Sequence, residues 1–100
     1  MTDTAIEEKT RVTRKLKEPS KYKVVVMNDN YTPMEFVIAL LVKVFSIPTD
    51  AAVQLTLEIH NQGSAVAGIY SYEIAEQKVS EATEISRLNG HPLVLKAVQE

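Results

Sequence analysis

The stretch YKVVVMNDNYTPMEFV, residues 22–37, decides the architecture. Its first part, Tyr22 to Met27, is rich in β-branched side chains and long enough for a strand. Asn28, Asp29 and Asn30 then supply turn-forming side chains that end it. Thr32-Pro33-Met34-Glu35 has the form of a capping box. In such a box the Thr32 hydroxyl accepts from the Glu35 N–H, the Glu35 carboxylate reaches back, and Pro33 fits the first helical position. A strand, a polar turn and a helix start thus follow one another directly.

Beyond this stretch, Phe36, Val37, Leu40, Leu41, Val44 and Phe45 recur at helical spacing and make a broad apolar face. Pro48 interrupts the pattern, and a second helix is expected from about Thr49, carrying Ala52, Val53, Leu55, Leu57 and Ile59 until Gly63 stops it. Ala65 to Tyr70 reads as a buried strand, with Gly68 marking a bulge or a close backbone approach. Ser71 is the expected cap of a third helix. Its inner stripe is Ile74, Ala75, Val79, Ala82, Ile85 and Leu88, and Asn89-Gly90 ends it. His91-Pro92 leads into a last strand, LVLKAVQ. The order is β-α-α-β-α-β. Three short strands cannot bury helices on both faces, so the expected class is α+β, a three-stranded antiparallel sheet with three helices on one face.

Residues 1–20 contain no aromatic side chain, mix both charges densely and end in Pro19-Ser20, which predicts a flexible N-terminal arm before a core domain over 21–100. With 11 basic against 13 acidic residues the net charge is -2, so phosphate backbones are not attracted and nucleic acid is not an expected partner. Cysteine is absent, which excludes disulfides, thiolate metal sites and a cysteine nucleophile, and suits a reducing, cytoplasmic setting. No apolar run approaches the ~20 residues of a membrane span, and acidic Asp3, Glu7 and Glu8 are unlike a secretory signal. The apolar faces look used up within one core, which predicts a monomer.

Catalysis finds little support. His60 and His91 are the only histidines and lack metal-ligand spacing, so no metal or other cofactor is expected. No nucleophile elbow, phosphate-binding glycine run or paired-carboxylate motif appears. The unusual feature is the succession Asn28, Asp29, Asn30, Tyr31, Thr32 between a buried strand and a helix. Read bare, it is a turn, and His60, near the end of the second helix, is a partner for the helix dipole. If the two helices form a hairpin, however, His60 approaches the Asn28 turn and places acceptors beside an apolar pit. Such a pit suits a cation with an apolar tail.

NDNYTPMEFV at 28–37, IHNQG at 59–63 and GHPL at 90–93 together resemble the Clp-protease adaptor family, ClpS, over about Pro19 to Val98. The resemblance implies three helices against a three-stranded sheet. It also implies a non-enzymatic adaptor that binds the free α-amine and bulky first side chain (Leu, Phe, Tyr or Trp) of an N-degron substrate protein. Such an adaptor delivers its cargo to the N-terminal domain of a ClpA-type unfoldase in the ClpAP protease. Carried over position by position, it assigns Asn28, Asp29, Asn30 and His60 to the α-amine. An ammonium has three donors and no acceptor, and an amide carbonyl, a carboxylate and a neutral imidazole match it. The same resemblance assigns Thr32, Met34, Val37, Thr56, Ile59 and Leu93 to the side-chain pocket, with Met34 at the mouth, where it clashes with a β-branched first residue.

Glu73, Glu76 and Lys78 match positions that dock on the unfoldase, and would otherwise be a solvated helix face. Two departures stand out. Asn30 replaces the second of two acids, which predicts weaker binding that Asn30→Asp would restore. Thr56 stands where the family often has Met, so the preference order among first residues is open. The alternative is a general protein-interaction domain like the C-terminal domain of the ribosomal stalk protein, with no selectivity for an N-terminal residue. A small acid-base enzyme using Asp29 and His60 is the remaining possibility.

Overall fold

β1 (Lys21–Met27) is the central strand of the sheet, and the valines of its alternating sequence explain why: Val24 and Val26 are buried on one face while their neighbours point to the other. The computed structural model describes residues 20–100, so the arm expected over residues 1–20 lies, apart from Ser20, outside the described residues. After β1 come α1 (Met34–Phe45), α2 (Thr49–Gln62), β2 (Ser64–Ser71), α3 (Tyr72–Leu88) and β3 (Val94–Gln99). The sheet order is β2-β1-β3, with both pairings antiparallel. The expected α+β class and element order hold.

The helices cover one face. Val24, Val26, Ala65 and Leu95 from the strands meet Val37, Leu40, Leu41, Val44 and Phe45 from α1, Ala52 and Ile59 from α2, and Ala75 and Ala82 from α3 in one core. Among the described residues no element covers the other face: Val66, Ile69, Val94 and Val98 are exposed there, in register with Val25, Met27, Lys23 and Lys96. The expectation that every apolar face is used within the core therefore does not hold for this side of the sheet.

The predicted bulge is present. The β1–β2 register shifts between Val24 and Val25, where Gly68 opposes Val24 and Val66 opposes Val25. A Cβ at Gly68 would collide with the Tyr70 ring and hydroxyl, so the glycine makes room for that tyrosine. Tyr70 in turn packs against Phe45, with ring centroids 6.4 Å apart.

Both expected helix caps fail in detail. Pro33, not Thr32, occupies the residue before α1, and no side chain caps the helix; the Phe36 and Val37 amides instead donate to the Pro33 carbonyl. Ser71 precedes α3 as expected, yet its hydroxyl makes no capping bond. The inner stripe of α3 also differs. Ile74 and Leu88 are exposed, the latter 80%. Ser86 is fully buried instead, its Oγ donating to the Ala82 carbonyl at 2.8 Å. Ala75, Val79, Ala82 and Ser86 follow the 3.6-residue period, and only a reading that allows a self-satisfied serine inside finds the fourth. Leu57 of α2 likewise faces solvent.

Lys78 is not a freely solvated side chain either. Its Nζ donates to the Val44 carbonyl in the last turn of α1 at 2.8 Å and lies 5.7 Å from the centre of the Tyr70 ring. A cation at a helix C-terminus, over an aromatic face, is favourable twice over. Lys78→Ala is expected to lower stability by about 1 to 2 kcal/mol, read as a fall of the thermal midpoint. A midpoint equal to that of Glu76→Ala, a substitution of an exposed residue, would show the bond contributes nothing.

Candidate functional site

The end of β1 and the end of α2 meet because α2 feeds directly into β2, which runs antiparallel to β1. Gly63 makes the reversal. It sits at φ 94°, a left-handed conformation natural to glycine, and its N–H donates to the Ile59 carbonyl at 2.9 Å. Its own carbonyl accepts the Asn28 N–H at 2.9 Å, extending the strand ladder by one bond. His60, one turn before Gly63, is thereby brought beside Asn28.

Asp29 organises the turn that leads from β1 into α1. Oδ1 accepts the Tyr31 and Thr32 amides, each at 2.7 Å, and Oδ2 accepts the Thr32 hydroxyl at 2.8 Å. The Thr32 hydroxyl thus donates back to Asp29, a charge-assisted bond, and makes no capping bond forward to the helix. Partial burial acts to raise the Asp29 pKa, but the bonds from Thr32 and Tyr31, aided by nearby His91, outweigh it and hold the carboxyl below the ordinary 3.8. Among the described residues Oδ2 accepts only the one bond, and its remaining lone pairs can accept from a ligand.

A cavity opens at this junction, about 330 Å³ when the open space in front of it is included. Met27, Asn28, Asp29, Thr32, Met34, Val37, Thr56, Ile59, His60 and Leu93 line it. The exposure of these residues defines its depth: Asn28, Met34 and His60 are exposed at the rim, while Val37, Thr56, Ile59 and Leu93 are buried. Polar acceptors thus surround the entrance and apolar walls the floor.

Every residue expected at the amine site or the side-chain pocket, Asn30 excepted, lines this one cavity. Asn30 is exposed and lies outside it, one residue past the point where the chain turns over the Asp29 carboxylate. Met27 lines the cavity too; it is the last residue of a strand legible in the sequence, but no motif marks it as a site residue. Glu73 and Glu76 stand exposed on α3, whereas Lys78 is engaged with α1.

A further layer supports the walls. Arg87 Nη1 donates to the carbonyls of His91 at 2.8 Å and Leu93 at 2.9 Å, fixing the segment that presents Leu93 to the floor. His91 packs edge-on against Phe36, with ring centroids 4.5 Å apart. Among the described residues there is no group of three or more His, Cys, Asp or Glu that would hold a metal ion, and no helix is long and apolar enough to cross a membrane.

The fold and the site define a small α+β domain with a cavity that is apolar within and flanked by acceptors, placed where the central strand of its sheet ends. The family described as ATP-dependent Clp protease adaptor protein ClpS matches residues 17–96, and the chain belongs to it. It is 52% identical over 79 residues to the ATP-dependent Clp protease adapter protein ClpS of Cronobacter sakazakii, covering 79% of this chain and 74% of that one. It is 49% identical over 92 residues to that of Escherichia coli O1:K1, covering 92% and 85%. Among solved structures it resembles Agrobacterium tumefaciens ClpS2 bound to L-phenylalaninamide, with a TM-score of 0.81 and 38% identity over 83% of this chain and 100% of that one.

Proposed function

We propose that this protein is a non-enzymatic cytoplasmic adaptor that binds the free α-amine and bulky hydrophobic first side chain of a substrate protein and delivers it to a ClpA-type unfoldase of the ClpAP protease. One observation carries the reading: a cavity with buried apolar walls and the acceptors Asn28, Asp29 and His60 at its entrance. The ligand of the Agrobacterium relative is an amino acid with a free amine and an amidated carboxyl, the chemistry of a chain's first residue.

In this reading Asn28, Asp29 and His60 receive the ammonium, the neutral His60 ring acting as acceptor. Asn30 is exposed and does not line the cavity, and Asn30→Asp is expected to act as a screened charge, worth under about 1 kcal/mol. Thr32, Met34, Val37, Thr56, Ile59 and Leu93 enclose the first side chain. Exposed Glu73 and Glu76 are the groups free to meet the unfoldase, and Lys78 fixes the helix that carries them.

Fluorescence anisotropy of peptides that differ only at their first residue tests this directly. Leu, Phe, Tyr and Trp peptides are expected to bind, and acetylated Phe is not, because acetylation removes the charge and two donors. An Ile peptide is rejected by the wild type and admitted by Met34→Ala, which opens the mouth. Equal binding of free and acetylated Phe would leave a general interaction domain as the better description.

A further inference from the structure

We infer that the uncovered face of the sheet is a docking surface for an acidic amphipathic helix of a partner protein. It serves this role whether or not the cavity accepts a first residue.

The outward positions of an antiparallel sheet with one wet face are ordinarily polar. Here Val25, Met27, Val66, Ile69, Val94 and Val98 occupy them, and the two valines and the isoleucine of the edge strands that flank Val25 and Lys23 are well exposed. The strand pairing makes these side chains contiguous: Val94 opposes Met27, Val66 opposes Val25, and Ile69 and Val98 stand on either side of Lys23. A contiguous apolar patch among polar groups marks an interaction site. Lys21, Lys23 and Lys96 are set among the aliphatic residues, where their stems extend the apolar surface and their ammonium groups carry one sign. No acid stands within the three strands; Glu100, just past β3, is beside Lys21, whose carbonyl accepts its N–H.

Charge selects the occupant. A second copy sets lysine against lysine, and residues 9–17 of the chain itself carry five bases and no acid. A nucleic acid needs rings on which to stack its bases, and the only aromatic residues of the strands, Tyr22 and Tyr70, pack on the core side. An acidic protein segment meets both the lysines and the valines.

Geometry selects its form. Three strands about 4.8 Å apart span about 14 Å, and their length is about 20 to 27 Å. A helix about 10 Å wide and about 14 residues long fits this area. A strand laid on the face of a sheet leaves its backbone groups unpaired, whereas a helix bonds its own. Aliphatic side chains at every third or fourth position meet the valines, and Asp or Glu beside them meet the lysines. The patch, about 300 Å², is well below the ~800 Å² per partner of stable complexes, so docking is weak and reversible.

Nuclear magnetic resonance titration of the ¹⁵N-labelled full chain tests this with three synthetic 14-residue peptides: a helix with a Leu stripe flanked by Glu, the same helix with Lys for every Glu, and the Glu peptide scrambled to disperse the stripe. The Glu helix is expected to give saturable amide shifts at Val25, Val66, Ile69, Lys96 and Val98, with the other two peptides at least about 10-fold weaker. Lys23→Gln combined with Lys96→Gln is expected to weaken the Glu helix by about 3- to 30-fold, the size of two exposed ion pairs, while the spectrum stays that of a folded domain. Shifts centred on α3 or on the cavity, equal binding of the scrambled or Lys peptide, or no saturable shift overturns the inference. Tighter binding of phosphatidylglycerol vesicles than of the Glu helix through the same residues also overturns it, in favour of an anionic lipid surface.

Discussion

Asp29→Ala is expected to lower both the stability of the domain and its affinity for a free N-terminus. The substitution removes the acceptor for two amides and one hydroxyl at once, so the turn between β1 and α1 loses its organising group. Loss of a capping carboxylate of this kind costs about 1 to 3 kcal/mol, or roughly 5 to 20 °C in a domain of this size. Asp29→Asn separates the two effects. Its amide oxygen still accepts the turn's N–H groups, so the midpoint recovers in part, while the charge facing the ammonium is gone and affinity stays low. An Asn variant that binds as tightly as the wild type would remove Asp29 from the amine site and leave it a turn residue.

The same carboxylate makes stability depend on pH. Its pKa is lowered in the folded state, so protons bind more tightly to the unfolded chain. The stabilisation is fully present above the unfolded value of about 3.9 and is lost as pH falls through the lower folded value. The midpoints of wild type and Asp29→Ala should therefore converge below about pH 4 and stay apart at neutrality. A gap that is constant down to strong acid would mean the carboxylate's charge adds nothing to the turn.

Leu93→Ala should produce the largest stability loss. Leu93 is 1% exposed and belongs both to the core and to the cavity floor, so truncation leaves a void joined to an existing one. Such substitutions cost about 2 to 5 kcal/mol, a large share of the roughly 5 to 15 kcal/mol that holds a typical domain together. The variant also has a deeper pocket, and an N-terminal Trp peptide should raise its midpoint more than it raises that of the wild type. Thermal unfolding with and without peptide reads both effects. A loss below about 1 kcal/mol would mean that the segment held by Arg87 collapses to fill the space.

Much of the fold is legible in the sequence for identifiable reasons. The β-branched run at Val24 to Val26, the one-then-three spacing in α1 and the glycine at 63 are local signals, and local physics decides the elements they mark. The caps are not legible, because the Thr32 hydroxyl has a second partner beside the helix amides, the charged Asp29 carboxylate to which it donates. Ser86 hides in a stripe read by apolarity alone. Lys78 reads as solvated since nothing in α3 announces that the end of α1 passes within reach of its ammonium. The site is readable only conditionally: Asn28 and His60 are far apart in the chain, and the helix reversal at Gly63 is what joins them. Asn30 groups with its neighbours by position, but it is exposed and does not line the cavity.

The uncovered side of the sheet has a consequence for how the protein behaves in concentrated solution. Valines and an isoleucine there alternate with Lys21, Lys23 and Lys96, all of one sign. Two molecules stacking these sides would gain apolar contact only by forcing like charges together away from water. The lysines thus act as a colloidal guard, and acylating them should turn a dispersed protein into one that self-associates at sub-millimolar concentration.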